Sequence, residues 1–586
     1  MAGLSLRHAS LALLSALVLG ACGGGDDARR AANADDGESV PDSLKFGGTV
    51  SIGGYGDLQT MNSLVSSDYN SGQIQRELLF MPLIKYDPQL NPVPWLAERW
   101  DTARVSPDSI ELTFHLRGDV KWHDGKPVTA RDVAFTFARA VDPKTAFPNA
   151  SGFDLYRKTA EVVDDRTVKF RLKPHSDFLD MWYQTPSMPE HILGKVPPEQ
   201  LLNHPFGTSA PVGNGPFRFV RAVPNQEWVF EANPDFPAAL GGRPFVDRVV
   251  YRNIPEQTTL LTELLTGRVD IYLGPKPEQA ARIQSNPNTR LNAAPNRQWV
   301  YMAYNSKSPL FSDPRVRRAL TMGIDRKQIV DALLYGYADV GRSTVTPAHW
   351  SYNTEDTQTL LPYDTLAARK LLAEAGWQDR NGDGVIENAQ GVPFRFSLKT
   401  NQGNDLRKDI TEIVQAQLRK VGVAVEPQLV EWNTLVNQLQ GRAGAGGTRT
   451  REFDAVVNSW VDYFRKDDRD ILHCDNLDKP FQYVSYCDER ADQLIDTLGL
   501  MMDREAAKPV WQEYQRLMVQ ESPYTVLYYP KRLTGVNKRL RGAEMDIRGE
   551  FTNPGKWWID PAQRRAAPAP PAAPAAAPAD SPKAAP

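Results

Sequence analysis

The chain opens on a short basic segment followed by an apolar run that stops at a cysteine. Arg7 and His8 form the basic part, and Leu11 to Leu19 form an apolar core that is too short to span a bilayer as a helix of the mature protein. This order of segments is typical of an export signal. No later stretch is long and apolar enough to cross a membrane. The remaining chain is therefore expected to fold outside the cytoplasm.

The residues around Cys22 predict a lipid anchor. Leu19-Gly20-Ala21-Cys22 places small residues directly before the cysteine, which resembles the lipobox of bacterial lipoproteins. The resemblance implies a signal peptide over residues 1–21 that is removed, after which Cys22 carries lipid and residues 22–45 form a flexible linker. An ordinary signal peptide with an incidental cysteine is the alternative.

Both ends of the chain are too polar or too repetitive to form a packed core. The stretch from Gly23 to about Ser43 is small, polar and charged, and residues 563–586 are nearly all Ala and Pro. We expect a disordered tail there, either a spacer or a passive extension. About 520 residues remain between the ends, enough for two or three domains. The net charge of -3 predicts no attraction to nucleic acid.

Two cysteines remain in the body of the chain, Cys474 and Cys487. In an oxidising compartment an even pair at short spacing predicts a disulfide bond. A metal site is the alternative, but His473 is the one further ligand that the neighbouring sequence offers.

Capping signals between extended runs predict mixed α/β structure. Thr129 followed by Asp132 has the spacing of a capping box at the start of a helix. Asp313 before Pro314 predicts another helix start, and Asp364 a third. Ile110 to Leu116 alternates apolar and polar residues as a strand does.

Five stretches in order resemble extracellular solute-binding protein family 5, the dipeptide- and oligopeptide-binding components of ABC importers. They are FHLRGDVKWHDGKPVTARDVAFTF at 114–137; GNGPF at 213–217 with NPDF at 233–236; the stretch 301–336 with Asn305, Phe311, Asp313, Arg317, Asp325 and Gly336; the helix 368–377 that ends in Ala-Gly-Trp; and Glu431-Trp432 with Phe453-Asp454 and Trp460. The spacing of Cys474 and Cys487 also resembles a disulfide of the dipeptide-binding branch.

The resemblance implies an α/β, two-lobed periplasmic-binding-protein-like fold of type II, in the large family form with an extra subdomain. Two hinged lobes would close around a ligand cleft. The implied boundaries are 46–302 for the first lobe with its inserted subdomain, 303–528 for the second lobe, and 529–562 for the return to the first lobe.

The resemblance also suggests residues that hold a peptide. In peptide-binding members an aspartate shortly after a tryptophan accepts the ligand's amino group. Here Asp462 takes that position, with Trp460 and Trp432 as apolar walls and Tyr463 beside them. The spacing departs from the family pattern, because one residue instead of two separates Trp460 from Asp462.

That departure leaves other assignments open. Asp467 or Asp468 are substitutes for the amine site, and Arg465 is a candidate for binding a carboxylate. Asp462 as a plain surface or capping carboxylate is the remaining alternative.

Asp379, Asn381 and Asp383 have the spacing of a calcium loop. Position twelve of that loop is Gln390 instead of glutamate, so we expect no metal and treat the three residues as a weak calcium candidate beside a plain turn. No cofactor is expected.

The predicted function is capture of di- or oligopeptides for import, without catalysis. The sequence lacks His-Glu-x-x-His, Gly-x-Ser-x-Gly and phosphate-binding Gly-rich motifs. The implied partners are a peptide ligand, an ABC permease and its ATPase, and the membrane through the lipid anchor. The protein is expected to be a monomer that lies outside the cytoplasmic membrane, which is the periplasmic side in a Gram-negative cell. The alternatives are a nickel chelate, haem or a sugar as ligand, or a receptor or chaperone that works without a transporter.

Overall fold

The computed structural model describes residues 40–444, 449–462 and 466–564. Two mixed β-sheets organise the chain into two α/β lobes. The first lobe contains a seven-stranded sheet, whose strands lie in the order Thr289–Ala294, Arg532–Asn537, Ile271–Leu273, Thr49–Gly54, Arg248–Asn253, Glu227–Ala232 and Phe217–Val223. Thr49–Gly54 is parallel to both of its neighbours, whereas the other pairs are antiparallel.

The second lobe contains a six-stranded sheet. Its strands lie in the order Ala338–Val340, Tyr524–Pro530, Gln298–Tyr304, Ala455–Val461, Arg395–Asn401 and Ala424–Val430. Gln298–Tyr304 is central, and its side chains alternate between two cores. Val300, Met302 and Tyr304 pack into one core. Trp299, Tyr301 and Ala303 pack into the other. Every residue from Trp299 to Tyr304 is buried because helices and loops cover both faces of the sheet.

The chain passes between the two sheets twice. It leaves the first sheet at Ala294 and enters the second at Gln298, and it returns between Pro530 and Arg532. The boundary expected at 302/303 lies inside Gln298–Tyr304, which belongs to the second sheet along its whole length. The boundary was predicted too far along the chain, because a strand of continuous apolar residues gives no signal of where the chain crosses between the sheets.

Helices flank both sheets. Those of the first lobe are Asp42–Lys45, Tyr69–Ile74, Ala130–Ala140, Asp180–Gln184, Glu190–Leu193, Gln257–Leu265 and Ala280–Ser285, with a π-helical turn at Gln75–Leu79. Those of the second lobe are Pro314–Met322, Arg326–Leu334, Thr365–Glu374, Asp405–Arg419, Trp432–Gln440, Arg469–Leu472, Glu489–Leu500 and Arg504–Glu521. None of the helices among the described residues is both long and apolar enough to cross a membrane.

Short 3-10 turns and small two-stranded sheets complete the described chain. The turns are Pro143–Thr145, Ala150–Phe153, Pro198–Asn203, Pro205–Gly207, Ala238–Leu240, Pro277–Gln279, Thr357–Thr359, Cys474–Asn476, Pro554–Lys556 and Pro561–Gln563. The strand pairs are Ile84–Tyr86 with Pro92–Pro94, Arg442–Ala443 with Arg449–Thr450, and Leu540–Arg541 with Trp558–Ile559.

The first lobe carries the expected extra subdomain as a four-stranded antiparallel sheet. Its strands lie in the order Ala97–Ser106, Ser109–Leu116, Thr167–Leu172 and Tyr156–Asp164. Helix Ala130–Ala140 packs on this sheet and begins with the predicted capping box of Thr129 and Asp132. Phe137, Phe170 and Trp182 pack edge to face and tilted against one another, so an aromatic core fixes the subdomain.

Cys474 and Cys487 form a disulfide bond, with their Cα atoms 4.8 Å apart, as predicted. The bond joins the turn Cys474–Asn476 to the segment before helix Glu489–Leu500. It therefore closes a short loop at the second lobe.

The GNGPF segment, residues 213–217, is hydrogen-bonded to distant parts of the first lobe, and we call this packed segment the clamp. Asn214 accepts a hydrogen bond from the Met81 amide at 2.8 Å, and the Gly215 amide donates to the Leu79 carbonyl at 2.9 Å. The His123 amide donates to the Gly213 carbonyl at 2.7 Å. This packing needs glycine, because a Cβ at Gly215 would lie 2.5 Å from the Leu78 carbonyl oxygen.

We predict that Gly215→Ala destabilises the protein by about 1 to 3 kcal/mol, because the added methyl group must push backbone apart. Gly555→Ala is the matched control, since a Cβ there meets no described atom within 4 Å. Urea unfolding followed by tryptophan fluorescence measures both variants. Equal midpoints for the two variants would contradict the clamp.

Candidate ligand-binding site

A cavity of about 860 Å³ lies between the lobes. Side chains from within residues 149–184 of the first lobe line one side of it, and side chains from within residues 460–462 and 467–500 of the second lobe line the other. Its size falls within the range of sites that bind small molecules.

The lobes also touch beside the cavity. Arg504 forms an ion pair with Asp177 at 2.9 Å and donates to the Leu90 carbonyl. The Ser176 amide donates to the Gly499 carbonyl at 3.3 Å. These contacts hold the two walls of the cavity against each other.

Asp462 lies at the edge of the cavity, directly after strand Ala455–Val461. Its Oδ1 accepts hydrogen bonds from Trp299 Nε1 at 3.2 Å and from Lys466 Nζ at 2.9 Å. Its Oδ2 is buried and has no hydrogen-bond partner among the described residues. A residue that lines the cavity therefore has one buried acceptor without a described partner.

Lys466 is a buried cation that the sequence reasoning missed. Its ammonium lies 2.9 Å from Asp462, 2.8 Å from Asp468 and 5.2 Å from the centre of the Trp299 ring. Asp468 also accepts hydrogen bonds from the hydroxyls of Thr344 at 2.7 Å and Tyr514 at 2.6 Å. The spacing of four residues from Asp462 was the available signal, and it is too common on surfaces to be specific.

The charges of this cluster shift one another's pKa values. Burial raises the pKa of Asp462 to about 6; Lys466 opposes this rise, and Asp468 adds to it. Burial also disfavours the charge on Lys466, but Asp462 and Asp468 outweigh burial and raise the lysine pKa. Lys466 therefore stays positively charged. Its charge offsets only part of the effect that burial has on the pKa of Asp462.

Trp460 was predicted as an apolar wall of the ligand site. It lines the cavity, stacks on Tyr301 and Tyr483 with ring centres 6.5 and 5.9 Å away, and meets Phe481 edge to face. These contacts fix the indole where the aromatic core of the second lobe meets the cavity.

Of the other predicted residues, Asp467 and Asp468 also line the cavity, whereas Trp432 does not. Trp432 begins helix Trp432–Gln440, is 48% exposed and does not belong to the cavity lining. Its position beside Glu431 suits a helix start, since Glu431 caps that helix. Tyr463, Arg465 and Cys22 lie outside the described residues.

The first lobe contributes three carboxyl groups that the sequence reasoning did not predict, and two of them, Asp177 and Asp180, have described partners. Asp177 bears the ion pair to Arg504. Asp180 is 4% exposed, accepts a hydrogen bond from the Tyr86 hydroxyl, and lines the cavity. Asp180 begins a short helix, and nothing in its local sequence separates it from an ordinary helix-start aspartate.

The lining as a whole is acidic. The first lobe contributes Asp154, Asp177 and Asp180, and the second lobe contributes Asp462, Asp467, Asp468, Asp470 and Asp496. Lys173 and Arg469 are the lysine and arginine of this lining. Arg469 is paired with Asp496, so the field inside the cavity favours cations.

The calcium candidate forms a turn far from these residues in the chain. Asp379 accepts hydrogen bonds from the Gly382 and Gly384 amides at 2.7 and 3.0 Å. Asp383 accepts a hydrogen bond from the Val385 amide at 2.8 Å. Within the described ranges, no three His, Cys, Asp or Glu side chains come together as metal ligands do. The visible role of Asp379, Asn381 and Asp383 is to shape the turn.

Two α/β lobes joined by paired crossovers, with a ligand-sized cavity between them, define a solute-binding protein. The sequence model of the bacterial extracellular solute-binding proteins, family 5, middle region, matches residues 91–474. The chain belongs to this family.

Two relatives and one solved structure illustrate the similarity. The chain is 32% identical to the oligopeptide-binding protein AppA of Bacillus subtilis (strain 168) over 560 residues, which cover 95% of this chain and 98% of that protein. It is 28% identical to heme-binding protein A of Haemophilus influenzae over 436 residues, 65% of this chain and 75% of that protein. The solved structure of Bacillus subtilis AppA in complex with a nonapeptide is 32% identical, covers 88% of this chain and 99% of that chain, and has a TM-score of 0.67.

We predict that Asp462→Asn changes how stability depends on pH. The pKa of Asp462 in the folded protein, about 6, exceeds the value of about 3.9 in an unfolded chain. The folded state then binds more protons between these values, so the carboxylate lowers stability as pH rises from about 4 to about 6. Relative to Asp462→Asn, the wild type should lose up to about 3 kcal/mol between pH 4 and pH 7.

Urea unfolding of the ligand-free protein at a series of pH values measures this difference. Asp475→Asn is the control for losing one negative charge, because its carboxylate is 82% exposed. A difference between wild type and Asp462→Asn that stays constant with pH would show that Asp462 is not an uncompensated buried carboxylate.

Proposed function

We propose that this protein is the substrate-binding component of an ABC importer and that it captures peptides outside the cytoplasmic membrane. The observation that carries the proposal is the cavity between the lobes with the available Asp462 oxygen at its edge. Partners of such a protein are the permease and ATPase of the importer. The protein acts as a monomer, binds no nucleic acid and leaves its ligand chemically unchanged.

The amino group of the peptide is the partner that suits Asp462. A buried carboxylate oxygen without a hydrogen bond is costly, and a charged ammonium satisfies it with a strong charge-assisted bond. Lys466 does not already satisfy it, because the lysine and Trp299 both donate to the other oxygen, Oδ1. The ligand ammonium therefore adds to the cluster without displacing Lys466.

Trp460 supplies an apolar surface for the first side chains of the peptide. The indole is held by Tyr301 and Tyr483 and loses little freedom when a ligand packs on it. The ion pair between Arg504 and Asp177 joins the two lobes beside the cavity. Closure of hinged lobes stabilises the bound state only through contacts that the open state lacks, and we propose that this ion pair is one of them.

The names of the relatives support a peptide and keep one alternative in view. An oligopeptide-binding protein is similar along nearly the whole chain, and a haem-binding protein is similar along part of it. Haem is therefore one alternative to a peptide. A nickel chelate or a sugar as the ligand, and a receptor or chaperone role without a transporter, are the further alternatives to peptide import.

We predict that some peptides in a panel of di- to hexapeptides raise the unfolding temperature of the body of the protein, residues 45–562. A ligand at about 100 times its Kd stabilises by about 2.7 kcal/mol. A panel of nickel-histidine, haem and sugars run in parallel tests the alternatives. Stabilisation by one of those ligands and by no peptide would remove the peptide assignment and leave the family membership intact.

We predict that Trp460→Ala weakens binding of a peptide found in that panel by about 2 kcal/mol, or about thirtyfold, because a buried aromatic contact is lost. Trp432→Ala is the matched control, since that indole is exposed and outside the lining, and it should leave the Kd unchanged. Isothermal titration calorimetry on both folded variants measures the change. Equal loss in the two variants would place the ligand elsewhere.

We further propose that Cys22 carries lipid and anchors the protein to the cell envelope. Full-length protein expressed in a bacterium should partition into the detergent phase of Triton X-114 and incorporate labelled palmitate, whereas Cys22→Ser should do neither, since acyl chains supply the membrane affinity. Labelled Cys22→Ser protein would refute the anchor at this residue.

A further inference from the structure

The wall that the first lobe contributes contains a carboxyl group with an unused oxygen. Asp180 is 4% exposed and lines the cavity. One oxygen accepts the Tyr86 hydroxyl, and the other, Oδ2, has no hydrogen-bond partner within the part of the chain that the structure describes. Buried polar atoms are nearly always paired, so an unpaired oxygen at a cavity indicates a partner that arrives with the ligand.

The surroundings of Asp180 favour a positively charged partner. Asp177 lies beside it, and Asp154 is exposed in the same wall. Arg504, which pairs with Asp177, does not belong to the cavity lining, and Lys173 is exposed. The second lobe faces this wall with further aspartates, so a cation inside the cavity is attracted from both sides.

We propose that Asp180, with Asp177 beside it, is a second cation site that receives a lysine or arginine side chain of a peptide whose amino group lies at Asp462. The inference rests on the proposed function and names its substrate class, which is basic peptides. Two acidic walls from two lobes suit a ligand with two separated positive charges. The charged ends of such a ligand would also draw the lobes together.

We expect the binding of a cation at Asp180 to release a proton from the Asp180 carboxyl group. Burial first, and then Asp177, raise the pKa of Asp180 to about 8, while the Tyr86 hydroxyl, Arg504 and Arg297 lower it. The group is therefore protonated at pH 7 without ligand. An ammonium or guanidinium beside it favours the ionised carboxylate, so Asp180 releases its proton to solvent as the cation binds.

The test compares tripeptides Ala-Xaa-Ala and Ala-Ala-Xaa in which Xaa is Lys, norleucine or Glu. Norleucine keeps the hydrocarbon chain of lysine and lacks its charge. Calorimetry at pH 7 in two buffers of different ionisation enthalpy gives both Kd and the number of protons released. We expect a Lys peptide to bind at least about tenfold more tightly than its norleucine partner and to release about one proton.

Asp180→Asn should remove both the preference and the proton release. It replaces a neutral acid by a neutral amide at pH 7, so the fold is kept, and ligand-free unfolding checks this. Asp475→Asn, which removes an exposed aspartate outside the lining, should keep both effects. Equal binding of Lys and norleucine peptides, or a Lys preference that survives in Asp180→Asn, overturns the inference while leaving peptide capture intact. If no peptide of two to six residues, with or without lysine, binds to the folded wild type, peptide capture and this inference both fall.

Discussion

Strand Gln298–Tyr304 is the element on which the two-lobed structure depends. It is the first strand after the crossover from the first lobe, and it pairs with Ala455–Val461 on one side and Tyr524–Pro530 on the other. The pairing with Ala455–Val461 brings Trp299 to Asp462, whose amide donates to the Arg297 carbonyl at 2.9 Å. Because backbone pairing sets this register, the edge of the cavity is positioned by the sheet itself.

Charge compensation decides what the cavity accepts. Lys466 lies between Asp462 and Asp468, and without it two carboxylates would be buried together at high cost. The lysine leaves one oxygen of Asp462 unused, and Tyr86 leaves one oxygen of Asp180 unused. The second lobe and the first lobe thus each have a carboxyl group in the lining with one oxygen hydrogen-bonded and the other without a described partner. The proposed selection of ligands by charge rests on this pair.

Local physical rules allowed much of the fold to be predicted. The helix starts at Thr129, Asp313 and Asp364 are present with their predicted side-chain caps, because capping depends on residues within one turn. The pairing of Cys474 with Cys487 was predictable because two cysteines remained in an oxidising compartment. The crossover between sheets was placed too late, since it depends on which strands pair and leaves no local pattern.

The sequence by itself determined the family, the α/β class, the disulfide and Asp462 with Trp460 as candidate ligand contacts, since each of these depends on short motifs and their order. Tertiary structure alone decided that Trp432 lies outside the cavity, that Lys466 is buried between two aspartates, and that Asp177 and Asp180 face Asp462 from the other lobe. The physical reason is distance along the chain. Capping and periodicity act over a few residues, whereas an electrostatic site forms from side chains that only the packing of two lobes brings together.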